Sequence, residues 1–189
     1  MAMKNLLDIS KYKLWVIGLY IIIFPMFFIF TPNVLDYNFS VSHLEQVLLT
    51  IFVTFVCFYL LNLFFNFRKI KWQSLKFSQI VLTIIYSLLF AIPEEIIFRG
   101  IIQNFFQNSI DSIVVVIIIS SLIFGLAHLP NGGNGLHPKD WNWRFAGVTF
   151  FVGLPLSIIF AITGSLLIPT LLHTFFLIFF KLFTDEVTN

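Results

Sequence analysis

Charge is what this sequence has least of. Only 11% of its 189 residues are Asp, Glu, Lys or Arg, less than half the share that soluble domains carry. Polar groups that scarce cannot clothe a surface, which excludes a water-soluble globular domain and leaves lipid as the solvent. The charges nearly cancel, at a net +2, so nothing argues for a nucleic-acid partner. Cysteine is reduced to Cys57. That excludes an internal disulfide and any cysteine-based metal cluster, and a lone Cys in an apolar run reads as a small buried hydrophobe. The apolar run at residues 14–30 lacks an A-x-A-like cleavage site. Although Lys4, Lys11 and Lys13 precede it, it reads as a retained first span and not as a cleaved signal peptide. Internal repeats are absent, as is low complexity beyond a richness in phenylalanine.

What the chain has instead is hydrocarbon: 59% hydrophobic residues, 26 of them Phe, and a mean hydropathy of +0.96. A membrane-crossing helix takes about 20 apolar residues, or as few as about 17. Residues 14–30 and 46–67 supply two spans. Residues 77–93 lead into Glu94 and resume as 96–102, a third; residues 112–129 are a fourth. The stretch 145–180 holds no charge and is broken by Thr163-Gly164-Ser165 into spans at 145–162 and 166–183. The expectation is an all-α, polytopic bundle of about six transmembrane helices, one membrane domain over residues 1–189. Loops 31–43 and 103–111 carry no Lys or Arg. Lys4, Lys11, Lys13, Arg68, Lys69, Lys71, Lys76, Lys139, Arg144 and Lys181, ten of the eleven basic residues, fall on the other side. The excess of positive charge on cytoplasmic loops then places both termini in the cytoplasm. Trp141 and Trp143 beside Arg144 suit an interfacial belt, and His43 and His137 lie in loops without a role.

Against this background five ionisable residues are out of place: Glu94, Glu95, Arg99, His128 and His173. Each costs about 2.5–3.5 kcal/mol to insert at mid-membrane on translocon scales, so an apolar chain that keeps them has a use for them. Glu95 and Arg99, four apart, share a helix face and can pair. Glu94 is turned about 100° away and is the freer carboxylate, suited to act as a base. Pro93 just before them removes a backbone donor. His128 closes the fourth span, and His173 lies well inside the sixth. Two carboxylates and two imidazoles from three spans meet only around a shared polar cavity. Such a set can ligate a divalent metal or activate a water directly, with an imidazole assisting or stabilising an oxyanion. Both chemistries end in hydrolysis. H-E-x-x-H is absent, and no Ser or Asp is placed for a serine triad or an aspartyl dyad.

These residues also form a pattern. Glu94-Glu95-Ile-Ile-Phe-Arg99-Gly100 matches E-E-x-x-x-R-G, Phe124-Gly-Leu-Ala-His128 matches F-x-x-x-H, and Gly164-Ser165-Leu-Leu-Ile-Pro-Thr-Leu-Leu-His173 is a G-S-L turn leading to a histidine. Over residues 80–180 the chain resembles the CAAX-protease and bacteriocin-processing (CPBP or Abi) family of intramembrane endopeptidases. The resemblance implies that Glu94 and His128 activate a water, that His173 stabilises the oxyanion, and that Glu95 and Arg99 hold the site in shape. It leaves a divalent metal such as zinc as an option, held by Glu94, His128 and His173. It implies a peptide or protein substrate at the membrane, whether prenylated or a leader or signalling peptide, with membrane lipid around it and a bacterial cell membrane as the setting. One position departs from the pattern. The family usually carries Asn or Asp four residues after the last histidine, and here that residue is Leu177. An alternative reading is therefore a catalytically impaired relative that binds a peptide or confers bacteriocin immunity. A third class, a transporter lined by the buried charges, is disfavoured by the absence of an inverted repeat. Simple span boundaries also put Glu94 and His128 roughly 10–15 Å apart in depth, at 1.5 Å per residue.

Overall fold

The computed structural model describes residues 43–65, 77–130 and 138–183. Among the described residues the fold is wholly helical. In chain order the helices are α1 (Leu44–Phe65), α2 (Phe77–Glu95), a π-helical segment (Ile96–Gln103), α3 (Asn104–Gln107), α4 (Ile113–Ala127), a short 3₁₀ turn (Pro138–Asp140), α5 (Trp143–Thr163) and α6 (Leu167–Phe183). The expected span at residues 14–30 lies outside the described residues, as do most of the lysines and arginines that set the expected orientation.

Phe77–Gln107 and Trp143–Thr163 are long and apolar enough to cross a membrane, and Leu44–Val56, Ile113–Ala127 and Leu167–Phe179 are shorter apolar helical stretches. The sequence places a loop at residues 103–111, but Gln103 closes the π-helical segment and α3 follows without a break. Pro93 does not end α2 either. Its missing N–H costs one i→i−4 bond, and the helix continues with the wider π turns that begin at Ile96. The break at Thr163-Gly164-Ser165 is present. Gly164 closes α5 at φ 65°, a left-handed conformation that glycine adopts without a Cβ penalty. Ser165 Oγ then accepts from the Leu167 N–H at 3.2 Å, meeting one of the open donors at the start of α6.

Helix α2 is built inside out. Leu82, Ile85 and Leu89 are exposed, while Thr83, Ser87, Ala91, Glu94 and Glu95 are buried. In water such a surface would drive association; in hydrocarbon it is the expected partition. One apolar cluster is formed by Val47 of α1, Val152, Leu156 and Ile159 of α5 and Leu172 and Phe176 of α6, and a second by Ile96, Phe160 and Leu166.

Helices α4 and α5 pack most closely, through small residues, as membrane helices commonly do. A Cβ at Gly125 would lie 2.8 Å from the Ala146 carbonyl and 2.9 Å from Phe150 Cβ. Gly125→Leu is accordingly expected to destabilise the protein by about 1–3 kcal/mol, the usual cost of overpacking, read as a lower unfolding midpoint in detergent. Gly147→Ala is the control and should unfold no lower than the parent, because a Cβ there meets nothing within 4 Å and Ala is the better helix former.

Candidate active site

The polar face of α2 ends on Glu94 and Glu95, the last a fully buried residue. Arg99, also fully buried, comes from the π-helical segment and grips Glu95 along two edges, Nη1 to Oε1 at 3.3 Å and Nε to Oε2 at 3.2 Å. Its Nη2 donates to the carbonyl of Gly153 on α5 at 3.1 Å, and its guanidinium lies 4.4 Å above the Phe124 ring of α4. The cation thus joins three elements and has a partner on each. Gly153 is needed for this approach, since a Cβ there would come 3.0 Å from the Phe124 ring.

His128 is the C-cap of α4. Its Nδ1 lies 2.7 Å from the carbonyl of Phe124, and a carbonyl can only accept, so Nδ1 carries the proton. Its Nε2 faces Glu94 Oε2 at 3.5 Å. His173 sits in the second turn of α6, with Nδ1 2.7 Å from Glu95 Oε1 and Nε2 3.6 Å from the same Glu94 oxygen. The Phe124 ring fills the angle between the imidazoles, at 4.5 Å from His128 and 5.6 Å from His173.

All five residues singled out from the sequence therefore come together. The expected 10–15 Å offset in depth between Glu94 and His128 is closed. Helix α4 has 15 residues, about 22 Å at 1.5 Å per residue, short of the roughly 30 Å hydrocarbon core. Its C-terminus ends beside Glu94, and the π-helical segment continues α2 past it.

A family model for the type II CAAX prenyl endopeptidases, Rce1-like, matches residues 76–179, more than half of the chain. The chain belongs to this family. It is a membrane protein of the CAAX-protease type, acting on a peptide or protein substrate. No curated protein matches it, and no solved structure does.

Family membership directs attention to the groups around the five. Thr174 and Ser165 are the two hydroxyls the sequence offers in place of the polar residue absent at Leu177. Thr174 Oγ1 donates to the Thr170 carbonyl at 2.7 Å, and Ser165 serves the start of α6, two turns from His173. Leu177 itself is half-buried, one turn beyond His173. A divalent ion would need Glu94, His128 and His173 as ligands. As they are placed, no group of three His, Cys, Asp or Glu side chains among the described residues is arranged to hold a metal ion. The chemistry of the site is therefore derived from these side chains alone.

Gln103 escaped the sequence reading. It is fully buried and donates from Nε2 to the Ser157 carbonyl at 2.8 Å. Ser157 Oγ in turn lies 3.1 Å from Ser121 Oγ. Arg99 to Gly153 and Gln103 to Ser157 share one sequence offset of 54, so the π-helical segment and α5 run parallel and are locked in register by two side-chain-to-backbone bonds. The signal was the spacing of Glu95, Arg99 and Gln103, four apart on one face.

Proposed function

We propose that the protein is an intramembrane endopeptidase in which Glu94 and His128 activate a water for attack on a peptide bond. One observation carries this reading. Both Nδ1 atoms are bound to groups that can only accept, the Phe124 carbonyl and the Glu95 carboxylate. In the neutral rings both Nε2 atoms are then acceptors, and they converge on Glu94 Oε2, another acceptor, at 3.5 and 3.6 Å. Three acceptors cannot satisfy one another. A water seated between them would donate its two protons to two of the three, Glu94 Oε2 among them.

The water loses a proton to the Glu94 carboxylate as its oxygen attacks the carbonyl carbon, and the proton passes to the leaving amine. In its neutral form His173 accepts from the water through Nε2; it serves the oxyanion in the imidazolium form, with a second proton taken up from solvent at Nε2 before the attack. The Glu95 carboxylate holds the proton on Nδ1 and turns Nε2 toward the reaction, and Arg99 holds Glu95 in place. The substrate is a peptide at the membrane, with a prenylated C-terminus, a leader peptide and a signalling peptide as the classes to compare.

The test is cleavage of a fluorogenic panel of these three classes by purified protein in liposomes. The parent is expected to cut at least one, and His128→Ala none. Chelators are expected to leave the rate unchanged, since the water is activated without a metal; inhibition reversed by added zinc would overturn that step. Leu177 favours a second reading, a relative that binds its peptide without cutting it. Binding without cleavage across the whole panel would establish that reading in place of the first.

A further inference from the structure

The buried face of α2 carries more polarity than the reaction centre uses. Thr83 and Ser87 are each fully buried, and among the described residues neither hydroxyl has a hydrogen-bond partner. Ser120 on α4, also buried, shares their lack of a partner among the described residues, while six other hydroxyls of the bundle behave differently. Thr50, Thr54, Ser121, Thr149, Thr163 and Thr174 each donate to the carbonyl four residues earlier, at 2.6–3.0 Å. That bond is open to any Ser or Thr in a helix for one choice of rotamer, and leaving a buried hydroxyl without it is costly. Thr83 and Ser87 nonetheless do not make it.

Their positions are not scattered. At 100° per residue Ser87 lies about 40° and Glu94 about 20° around the helix from Thr83, at rises of about 6 and 16 Å. The three form one stripe. Ala91, fully buried with a side chain of minimal volume, occupies the turn between Ser87 and Glu94, and the opposite face, Leu82, Ile85 and Leu89, is exposed to lipid. At the upper end of the stripe, Glu94, His128 and His173 are all closed to solvent, at 8%, 8% and 3% exposure. Hydrolysis consumes one water for each bond cut, with its OH going to the carbonyl carbon and its H to the amine. A buried centre must therefore be resupplied.

We propose that Thr83 and Ser87 bind the waters of a file that feeds Glu94 from the end of the bundle where α2 begins. The proposal rests on the hydrolytic reading of Glu94. Each hydroxyl offers one donor and two acceptor lone pairs, enough to continue a chain of waters on either side. The distance from Ser87 to Glu94, about 10 Å along the helix, takes roughly three waters at hydrogen-bond spacing.

The test reads water directly. In a Cys57→Ala background, single cysteines are placed on the stripe (Thr83→Cys, Ser87→Cys, Ala91→Cys) and on the lipid face (Leu82→Cys, Ile85→Cys, Leu89→Cys). Proteoliposomes are treated with silver ion, which is little larger than water, and the thiols left unreacted are alkylated after denaturation and counted by mass. Silver takes the thiolate, which forms in water and not in hydrocarbon. The stripe positions are expected to react at least about tenfold faster than the lipid-facing ones. Equal rates on the two faces would overturn the proposal. Because cleavage is not part of this readout, a wet stripe in a protein that cuts nothing would count against the protease and not against the file. In a protein that does cut, Ser87→Val is expected to lower kcat about tenfold with KM unchanged, and Ser87→Thr, which keeps the hydroxyl, to restore it. A Ser87→Val rate equal to the parent's would likewise overturn the proposal.

Discussion

Glu94→Gln is expected to lower kcat for peptide cleavage by about 10²–10⁴-fold, the range that a positioned general base contributes, with little change in the unfolding midpoint. Gln has the size of Glu and keeps an acceptor oxygen, but it cannot take a proton at ordinary pH. The substitution therefore removes the step and leaves the shape. It also turns one of three converging acceptors into a group that can donate to an imidazole Nε2, so the water loses both its base and its site. The effect is expected in kcat, because Glu94 touches the attacking water and not the parts of the substrate that set KM. The measurement is steady-state cleavage of the best peptide of the panel, beside thermal unfolding of the same preparation. Parental kcat in Glu94→Gln would end the assignment of Glu94 as base. A lost kcat with a collapsed midpoint would make Glu94 a structural residue.

The contrast between Glu94 and Glu95 was legible in the sequence, because ionisable groups are conspicuous in hydrocarbon. Five such residues in a chain this poor in charge had to find one another, and they do. The pairing of Glu95 with Arg99 followed from the i+4 spacing, and Glu94 lies beside both histidines, but Glu95 also holds His173 Nδ1 at 2.7 Å, a contact the spacing did not show. What could not be read falls into two kinds. The depth of His128 depended on the true length of α4, and hydropathy alone runs the apolar stretch on past the cap at His128. The partners of Arg99 and Gln103 on α5 are backbone carbonyls of Gly153 and Ser157, and every residue has a carbonyl, so residue type says nothing about which are used. Gln103 itself is uncharged and sits at the edge of the apolar run, where a loop was the simpler reading. The π-helical segment is hidden for a related reason: the residues Ile96–Gln103 suit an α-helix equally well, and packing against α5 decides the wider turn.

That packing makes Arg99 the residue whose loss should do most harm to the fold. Arg99→Met keeps the apolar stem as far as the Nε position but removes the guanidinium and its charge, and it is expected to destabilise by about 3–5 kcal/mol, the cost of leaving one member of a buried ion pair without the other. Against a total stability of about 5–15 kcal/mol, that should appear as a large drop in unfolding midpoint or in folded yield. Glu95 would retain only His173 as its partner among the contacts described, and Gly153 would lose a donor on its carbonyl. The double change Glu95→Gln with Arg99→Met removes both charges and is expected to recover a substantial part of the loss, because neither member of the pair is then buried without the other. The amide oxygen that replaces the carboxylate at position 95 can still accept from His173 Nδ1, so the ring keeps its orientation, but the negative charge beside it is gone. Stability and catalysis should therefore separate, with the double variant folded more firmly than Arg99→Met and still nearly inactive. Two measurements on the same four proteins decide it: the coupling energy from unfolding in a double-mutant cycle, and kcat. If the double variant is as unstable as the sum of the single variants, the pair is not a unit and Arg99 acts through Gly153 and Phe124. If it regains cleavage along with stability, the Glu95 carboxylate has no part in the reaction beyond holding the helix.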